Sequence, residues 1–199
     1  MTRCLLTALA VLIAISLAAP NIGHAQTFKV EKFDIKADGG TDYVAVEAAT
    51  GRVFVSRATH MMVVEGPTGK VLGDIPNTPG VHGAGIATKA GHGFTTNGGD
   101  QTVTMFDLKT LAVLRQIKVG PGLDGIMYDE PDDKIILTNH SRPIGTLTAL
   151  DPKTGEFIEY LLPRFTNVRR VFVDNSTTPV TFWVGNNHGA SIVKLEPLP

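Results

Sequence analysis

The sequence predicts an all-β chain assembled from four copies of one unit, and three observations predict it. The first is a turn signature at the same place in successive units: Glu65-Gly66-Pro67-Thr68-Gly69-Lys70, Asp107-Leu108-Lys109-Thr110 and Asp151-Pro152-Lys153-Thr154-Gly155. The second is an apolar strand just upstream of each turn, Met62-Val63-Val64, Val103-Thr104-Met105-Phe106 and Thr146-Leu147-Thr148-Ala149-Leu150. The third is a recurring central strand, Val53-Phe54-Val55, Gly93-Phe94-Thr95, Ile135-Ile136-Leu137 and Phe182-Trp183-Val184. From Phe54 to Phe94, Ile136 and Trp183 the steps are 40, 42 and 47 residues. A period of this size built from four short strands marks β-propeller blades.

The strands run apolar or alternate over four to six residues between Gly, Asn, Asp and Pro, and no segment keeps a helical period. The first unit places its strands at residues 43–47, 53–56, 61–65 and 70–75. The second places them at 84–88, 93–96, 102–107 and 112–119, and the third at 126–129, 134–138, 146–151 and 156–161. The fourth has strands at 171–174, 180–184 and 191–195, and no fourth strand follows. The blades thus lie near 41–76, 81–119, 122–161 and 167–199. Residues 28–35 form an orphan strand ahead of the first blade, and its expected place is as the missing strand of the last, since that pairing hides two free edges. The expected architecture is four-stranded antiparallel blades in a ring of about four, or an incomplete or internally deleted seven-bladed ring. Phe54, Phe94 and Trp183 are read as core between blades.

Residues 1–25 read as a signal peptide rather than as fold. Arg3 gives a positive start, the apolar run from Leu5 to Ala19 is short for a membrane span, and Gly23-His24-Ala25 offers small residues for cleavage after Ala25. The expectation is a periplasmic or secreted protein with its propeller domain over 26–199. Cys4 is the chain's one cysteine, so disulfides cannot stabilise the exported form. The formal net charge of −1 becomes one unit more negative without Arg3, which gives no general drive toward nucleic acid or anionic lipid.

Chemistry in such a ring belongs on the rim. The position just before each inner strand repeats as Asp42, His82, Asp124 and Arg169, at steps of 40, 42 and 45 residues. Loops on the same side add His60, Asn97, Asp100, Asn139, His140, Arg142 and His188. Asp42, His82 and Asp124 are ligand types that suit a divalent cation, and a His–carboxylate pair can move protons. Rim Asp and His also cap backbone N–H groups or simply face water, and Arg169 can serve as internal counter-ion to the carboxylates. The candidate ligand-binding set is Asp42, His82, Asp124, Arg169, Asn97, His140 and His188, with Asp42, His82 and Asp124 as metal candidates and no catalytic residue assigned. No Gly-x-Ser-x-Gly, His-Glu-x-x-His, phosphate loop or Cys–His set is present, so hydrolase, zincin and nucleotide readings have no support.

Residues 28–155 resemble the YVTN-type (YncE-like) β-propeller repeat family. The residues that carry the resemblance are Thr41-Asp42-Tyr43-Val44-Ala45-Val46, Arg52-Val53-Phe54-Val55-Ser56, the stretch from Thr68-Gly69-Lys70 to Pro79-Gly80, and Val103-Thr104-Met105-Phe106-Asp107. From Phe157 onward, Tyr160-Leu161-Leu162-Pro163, Arg169-Arg170-Val171-Phe172-Val173-Asp174 and Phe182-Trp183-Val184-Gly185-Asn186-Asn187 are similar to the closing blade of the streptogramin (virginiamycin B) lyase group. The switch falls near residues 151–157 and reads as a recombined or internally deleted gene. The second resemblance implies a lactone-opening elimination that uses loop histidines and a magnesium ion. No matching His–Glu set is present, so no catalytic residue is carried over. The expected function is a non-enzymatic scaffold that binds a small molecule or a protein on its loop face, with no cofactor implied. The alternatives are a lyase or quinoprotein-like enzyme at the same rim, or a remnant of a larger propeller gene.

Overall fold

The computed structural model describes residues 29–36, 38–140, 145–162, 166–186 and 191–196. Its β-strands, with no helix among the described residues, make an all-β propeller. Blade one contains β1 (Val44–Glu47), β2 (Arg52–Arg57), β3 (His60–Glu65) and β4 (Val71–Ile75). Blade two contains β5 (Val81–Ala87), β6 (His92–Asn97), β7 (Thr102–Asp107) and β8 (Val113–Lys118). Blade three contains β9 (Leu123–Asp129), β10 (Lys134–Asn139), β11 (Thr146–Leu150) and β12 (Phe157–Leu161). Blade four contains β13 (Val168–Asp174), β14 (Thr181–Asn186) and β15 (Ser191–Leu195). Each blade is an antiparallel meander in sequence order, the connection that short polar turns impose on neighbouring strands.

The repeated turn residues act as the sequence requires. Asp107 accepts hydrogen bonds from Lys109 N and Thr110 N at 3.0 and 2.7 Å, and Asp151 accepts from Lys153 N and Thr154 N at 2.8 and 3.1 Å. These backbone N–H groups hold both carboxyls below the ordinary aspartate range. Gly155 closes its turn at a φ of 72°, a conformation that side chains disfavour.

The hydrophobic core lies between blades. Phe54, Met61, Val63 and Ile75 of blade one bury against Val81, Phe106 and Leu108, with the Phe54 and Phe106 ring centres 5.9 Å apart. Phe94, Val103, Met105 and Ile117 meet Leu123, Ile135, Leu137 and Leu150 in the next interface. Ile136, Leu147 and Leu162 meet Val168, Val171 and Val184 in the third. Each blade therefore shows one face to its predecessor and the other to its successor, as strand alternation dictates.

Two sequence expectations meet a different outcome. Residues 29–35 form no strand, Phe28 lies outside the described residues, and blade four has three strands among the described ones. Phe33 instead sits on Gly69 in the turn after β3, so close that a Cβ there would clash with the Phe33 side chain. Trp183 holds the same place in its blade as Phe54 and Phe94, yet it is only half-buried, since among the described residues no blade packs on its face.

Candidate functional site

Three of the four rim residues lie within the inner strands rather than before them, and a recurring irregularity puts them there. In β5 the register passes from Val81↔Asn97 to Ala84↔Thr95, so His82 and Gly83 together oppose one residue, Thr96. In β9 the pairs Leu123↔Asn139 and Ile126↔Leu137 leave Asp124 and Gly125 opposite Thr138. In β13 the pairs Val168↔Asn186 and Val171↔Val184 leave Arg169 and Arg170 opposite Gly185. A bulge of one extra residue re-aims a side chain without ending the strand. Asp42 and Tyr43 occupy the same place opposite Ser56 at the start of blade one, where Asp42 N donates to Ser56 Oγ at 2.7 Å.

Hydroxyl side chains at steps of 40 and 42 residues fix these bulges. Thr96 Oγ1 donates to Asp124 O of the next blade at 2.7 Å. Thr138 Oγ1 accepts from Gly125 N at 2.8 Å and donates to Arg169 O at 3.1 Å. Tyr43 N donates to His82 O at 3.0 Å, which joins blade one to blade two in the same zone. The rim backbone is thereby tied from blade to blade.

The side chains converge. His82 Nδ1–H donates to Asp42 Oδ2 at 2.8 Å. Tyr43 crosses over Gly83, where a Cβ would lie 3.1 Å from its ring, and its hydroxyl donates to Asp124 Oδ1 at 2.7 Å. Arg169 Nη1 donates to Asp124 Oδ2 at 3.0 Å, and His140 Nε2 lies 4.0 Å from that oxygen. The Arg170 guanidinium stacks 4.9 Å from the Tyr43 ring centre. One ligand atom from each of Asp42, His82 and Asp124 lies within 4.8 Å of the others. Asp124 is buried, while Arg169 and Asp42 are nearly half exposed.

Burial, reinforced by the hydrogen bond to Asp124, raises the Tyr43 phenol above its ordinary value. Burial and then the charge of Arg169 lower the His140 imidazole, which keeps it neutral near pH 7. Two carboxylates face two guanidinium groups across the cluster, so its formal charge is balanced. Three features count against a resident divalent cation. Both oxygens of Asp124 are already engaged, the Nδ1–H of His82 points at Asp42, and His82 Nε2 lies against Gly98, where a Cβ would sit 2.6 Å away.

The remaining predicted residues divide. His140 joins the cluster. Asn97 is fully buried inside blade two, donating to Thr102 Oγ1 and Thr104 Oγ1 at 3.0 and 2.8 Å, so it braces the blade. Its counterpart Asn139 is equally buried, and its side-chain nitrogen and oxygen have no hydrogen-bond partner among the described residues. His60 faces Asp74 at 3.5 Å, and Asp100 caps Thr102 N at 3.2 Å; each serves its own blade. Arg142 and His188 lie outside the described residues. Sequence reading missed Tyr43 and Arg170, although each follows a singled-out residue in the chain. The signal was the repeated pair rather than the repeated residue.

No protein-family model matches the sequence, and no curated protein matches it. Among solved structures, the chain is similar to hydrazine synthase from Kuenenia stuttgartiensis, with a TM-score of 0.71 and 15% identity over 87% of this chain and 49% of that one. It is similar to virginiamycin B lyase from Staphylococcus aureus, with a TM-score of 0.66 and 16% identity over 81% of this chain and 54% of that one. It is also similar to the β-propeller domain of Cps50 (Swd1) from Myceliophteria thermophila, with a TM-score of 0.61 and 11% identity over 76% and 50%. These likenesses establish the propeller fold. The chain spans about half the length of the structures it matches.

Proposed function

We propose that this chain is an exported β-propeller that binds a small polar ligand bearing an anionic group at the channel rim, and that it does no chemistry on that ligand. The observation that carries the reading is the convergence on one spot of side chains from four equivalent residue pairs, three of them borne on bulges. Arg169 and Arg170 stand at the exposed edge, the Asp42–His82 pair stands beside them, and buried Asp124 orients Arg169 from beneath. A guanidinium held by one carboxylate still has donors to offer a second anion, and its planar fork matches carboxylate geometry. Asp42 and His82 supply acceptor and donor for the rest of such a molecule. The charge-balanced interior favours this ligand over a bare cation, which would have to displace Arg169 from Asp124.

Membership of the YVTN-type repeat group, with a closing blade of lyase type, is part of the same reading, as is cleavage of the signal after Ala25. N-terminal sequencing of the exported protein should begin at Gln26, and a product that starts at Met1 sinks the export reading. For the rim, thermal stabilisation by a panel of small carboxylates and amino acids should be measured on the parent and on Arg169→Met and His82→Ala. Stabilisation of the parent that both variants lose supports the site. A panel that leaves the parent unmoved, or moves parent and variants alike, removes it.

A further inference from the structure

Strand β9 carries two buried aspartates, Asp124 at its rim end and Asp129 at its turn end, each 2% exposed. Asp124 is saturated by Tyr43 and Arg169, whereas neither oxygen of Asp129 has a hydrogen-bond partner among the described residues. The neighbouring blades fill the same place differently. In blade one Glu47 opposes Arg52 and pairs with it, and Arg52 also donates to Leu108 O of blade two at 2.6 Å. In blade two Ala87 stands where the acid would be, and His92 Nδ1–H donates to Pro152 O of blade three at 2.8 Å. In blade three the acid returns opposite Lys134, but that ammonium turns to Asp151 at 3.3 Å. The Asp132 N–H and Lys89 lie near enough to ease the burial of Asp129 without completing a bond to it.

Asp129 lines a cleft of about 480 Å³ between blades three and four. That size lies within the roughly 300–1,000 Å³ of small-molecule sites. Repeat positions show why space is left there. The cross-strand pairs Phe54↔Val63 and Phe94↔Met105 fill the first two interfaces, and the third has only Ile136↔Ala149. Phe182, on the facing wall with Leu195, is bulkier than Gly93 or Ile135 at the same place, yet the cleft remains. The charged side chains that line it are Asp129, Asp132, Glu196 and Lys134, and Lys134 is held by Asp151. Glu196 pairs with Lys194 at the exposed edge, which leaves Asp129 as the buried charge without a counter-ion. We infer that this cleft binds a small amphiphilic amine, its ammonium bonded to Asp129 and its apolar body packed against Ile136, Ala149 and Phe182. An ionised carboxylate only accepts hydrogen bonds, so the partner that Asp129 lacks is a donor, and a cation offsets the cost of burying its charge. A divalent metal ion requires several oxygen ligands. Among the described residues Asp129 belongs to no group of three ligand side chains that could hold one. The site is separate from the rim, because it lies at the other end of β9.

Calorimetric titration of the purified chain at neutral pH should use primary amines from butylamine to octylamine, with phenethylamine, each beside the alcohol of the same skeleton. At least one amine should bind saturably and about tenfold more tightly than its alcohol, a difference that a charge-assisted hydrogen bond supplies. Asp129→Asn should erase that difference, and the strand signal in circular dichroism should stay as in the parent, because the substitution removes a buried charge and keeps the shape. Ala149→Met restores the side chain that blade two has at this place and should abolish binding of amine and alcohol alike. A parent that binds no amine, or none better than its alcohol, overturns the proposal. So does an Asp129→Asn chain that keeps the preference for the amine, and so does a folded Ala149→Met chain that binds as the parent does.

Discussion

Tyr43 and Asp124, 81 residues apart and two blades distant, are joined by a 2.7 Å hydrogen bond that passes over Gly83. The bond holds the buried end of the rim cluster, because the same carboxylate positions Arg169 through its other oxygen. Gly83 is small for this reason: the phenol needs the space that a side chain would fill.

Tyr43→Phe should cost about 1 kcal/mol at neutral pH, the usual worth of one such bond. The folded phenol is raised, so its protonated form is favoured by folding. That contribution is fully present below the unfolded tyrosine value near 10 and is lost as pH rises through the folded one. Denaturant titrations of parent and variant, run from neutral pH into the alkaline range, should therefore draw together as the pH passes through the raised value of the folded phenol. Curves that stay parallel would show that the bond does not form.

Arg169→Met should turn the rim into a cation site. Removing the guanidinium frees Asp124 Oδ2 beside Asp42 and His82, whose ligand atoms already lie within 4.8 Å. Calorimetric titration with Mn²⁺ should show binding tightened by about tenfold over the parent, equivalent to ~1.4 kcal/mol. Equal binding by parent and variant would mean that Arg169 does not guard the carboxylate.

Thr138→Val keeps the shape of the bulge and removes the hydroxyl that serves both Gly125 N and Arg169 O. With these groups stripped of a partner, the loss should be about 1–3 kcal/mol. Thr96→Val breaks one bond, to Asp124 O, and should cost less. Hydrogen exchange at Gly125 N–H separates the two, since only Thr138→Val should accelerate it.

Asp129 should be a liability at neutral pH. Glu47 pairs with Arg52 at 2.7 Å in blade one, but at the equivalent place in blade three Lys134 turns to Asp151 and leaves Asp129 buried. Burial, then the nearby Asp132 charge, raises its carboxyl. A raised acid is stabilising when protonated, and that advantage disappears as pH rises through the folded value. Asp129→Asn should thus gain about 1 kcal/mol at pH 7 and little below pH ~4. Thermal unfolding at both pH values checks the sign.

Within the candidate site, Asp42, His82, Asp124 and Arg169 were legible because blade period repeats their positions. Tyr43 and Arg170 were not, since a tyrosine before a valine strand and an arginine beside another look like ordinary strand residues. Asn97 misled for the opposite reason: it follows a strand at the correct end of the blade, but its side chain turns inward to Thr102 and Thr104.

The blades are encoded locally in the chain. Turn residues, strand alternation and a forty-odd-residue period are local properties, and each unit's meander follows from contacts within a few tens of residues. What the repeats do together emerges from the packing of one blade on the next. The tertiary structure shows that one extra residue in each of β5, β9 and β13 aims their rim side chains, and that Tyr43 reaches across a blade to Asp124. Those outcomes depend on how blades stack and on which backbone atom accepts the next blade's hydroxyl. Such contacts join residues some forty to eighty positions apart, and no local propensity encodes them.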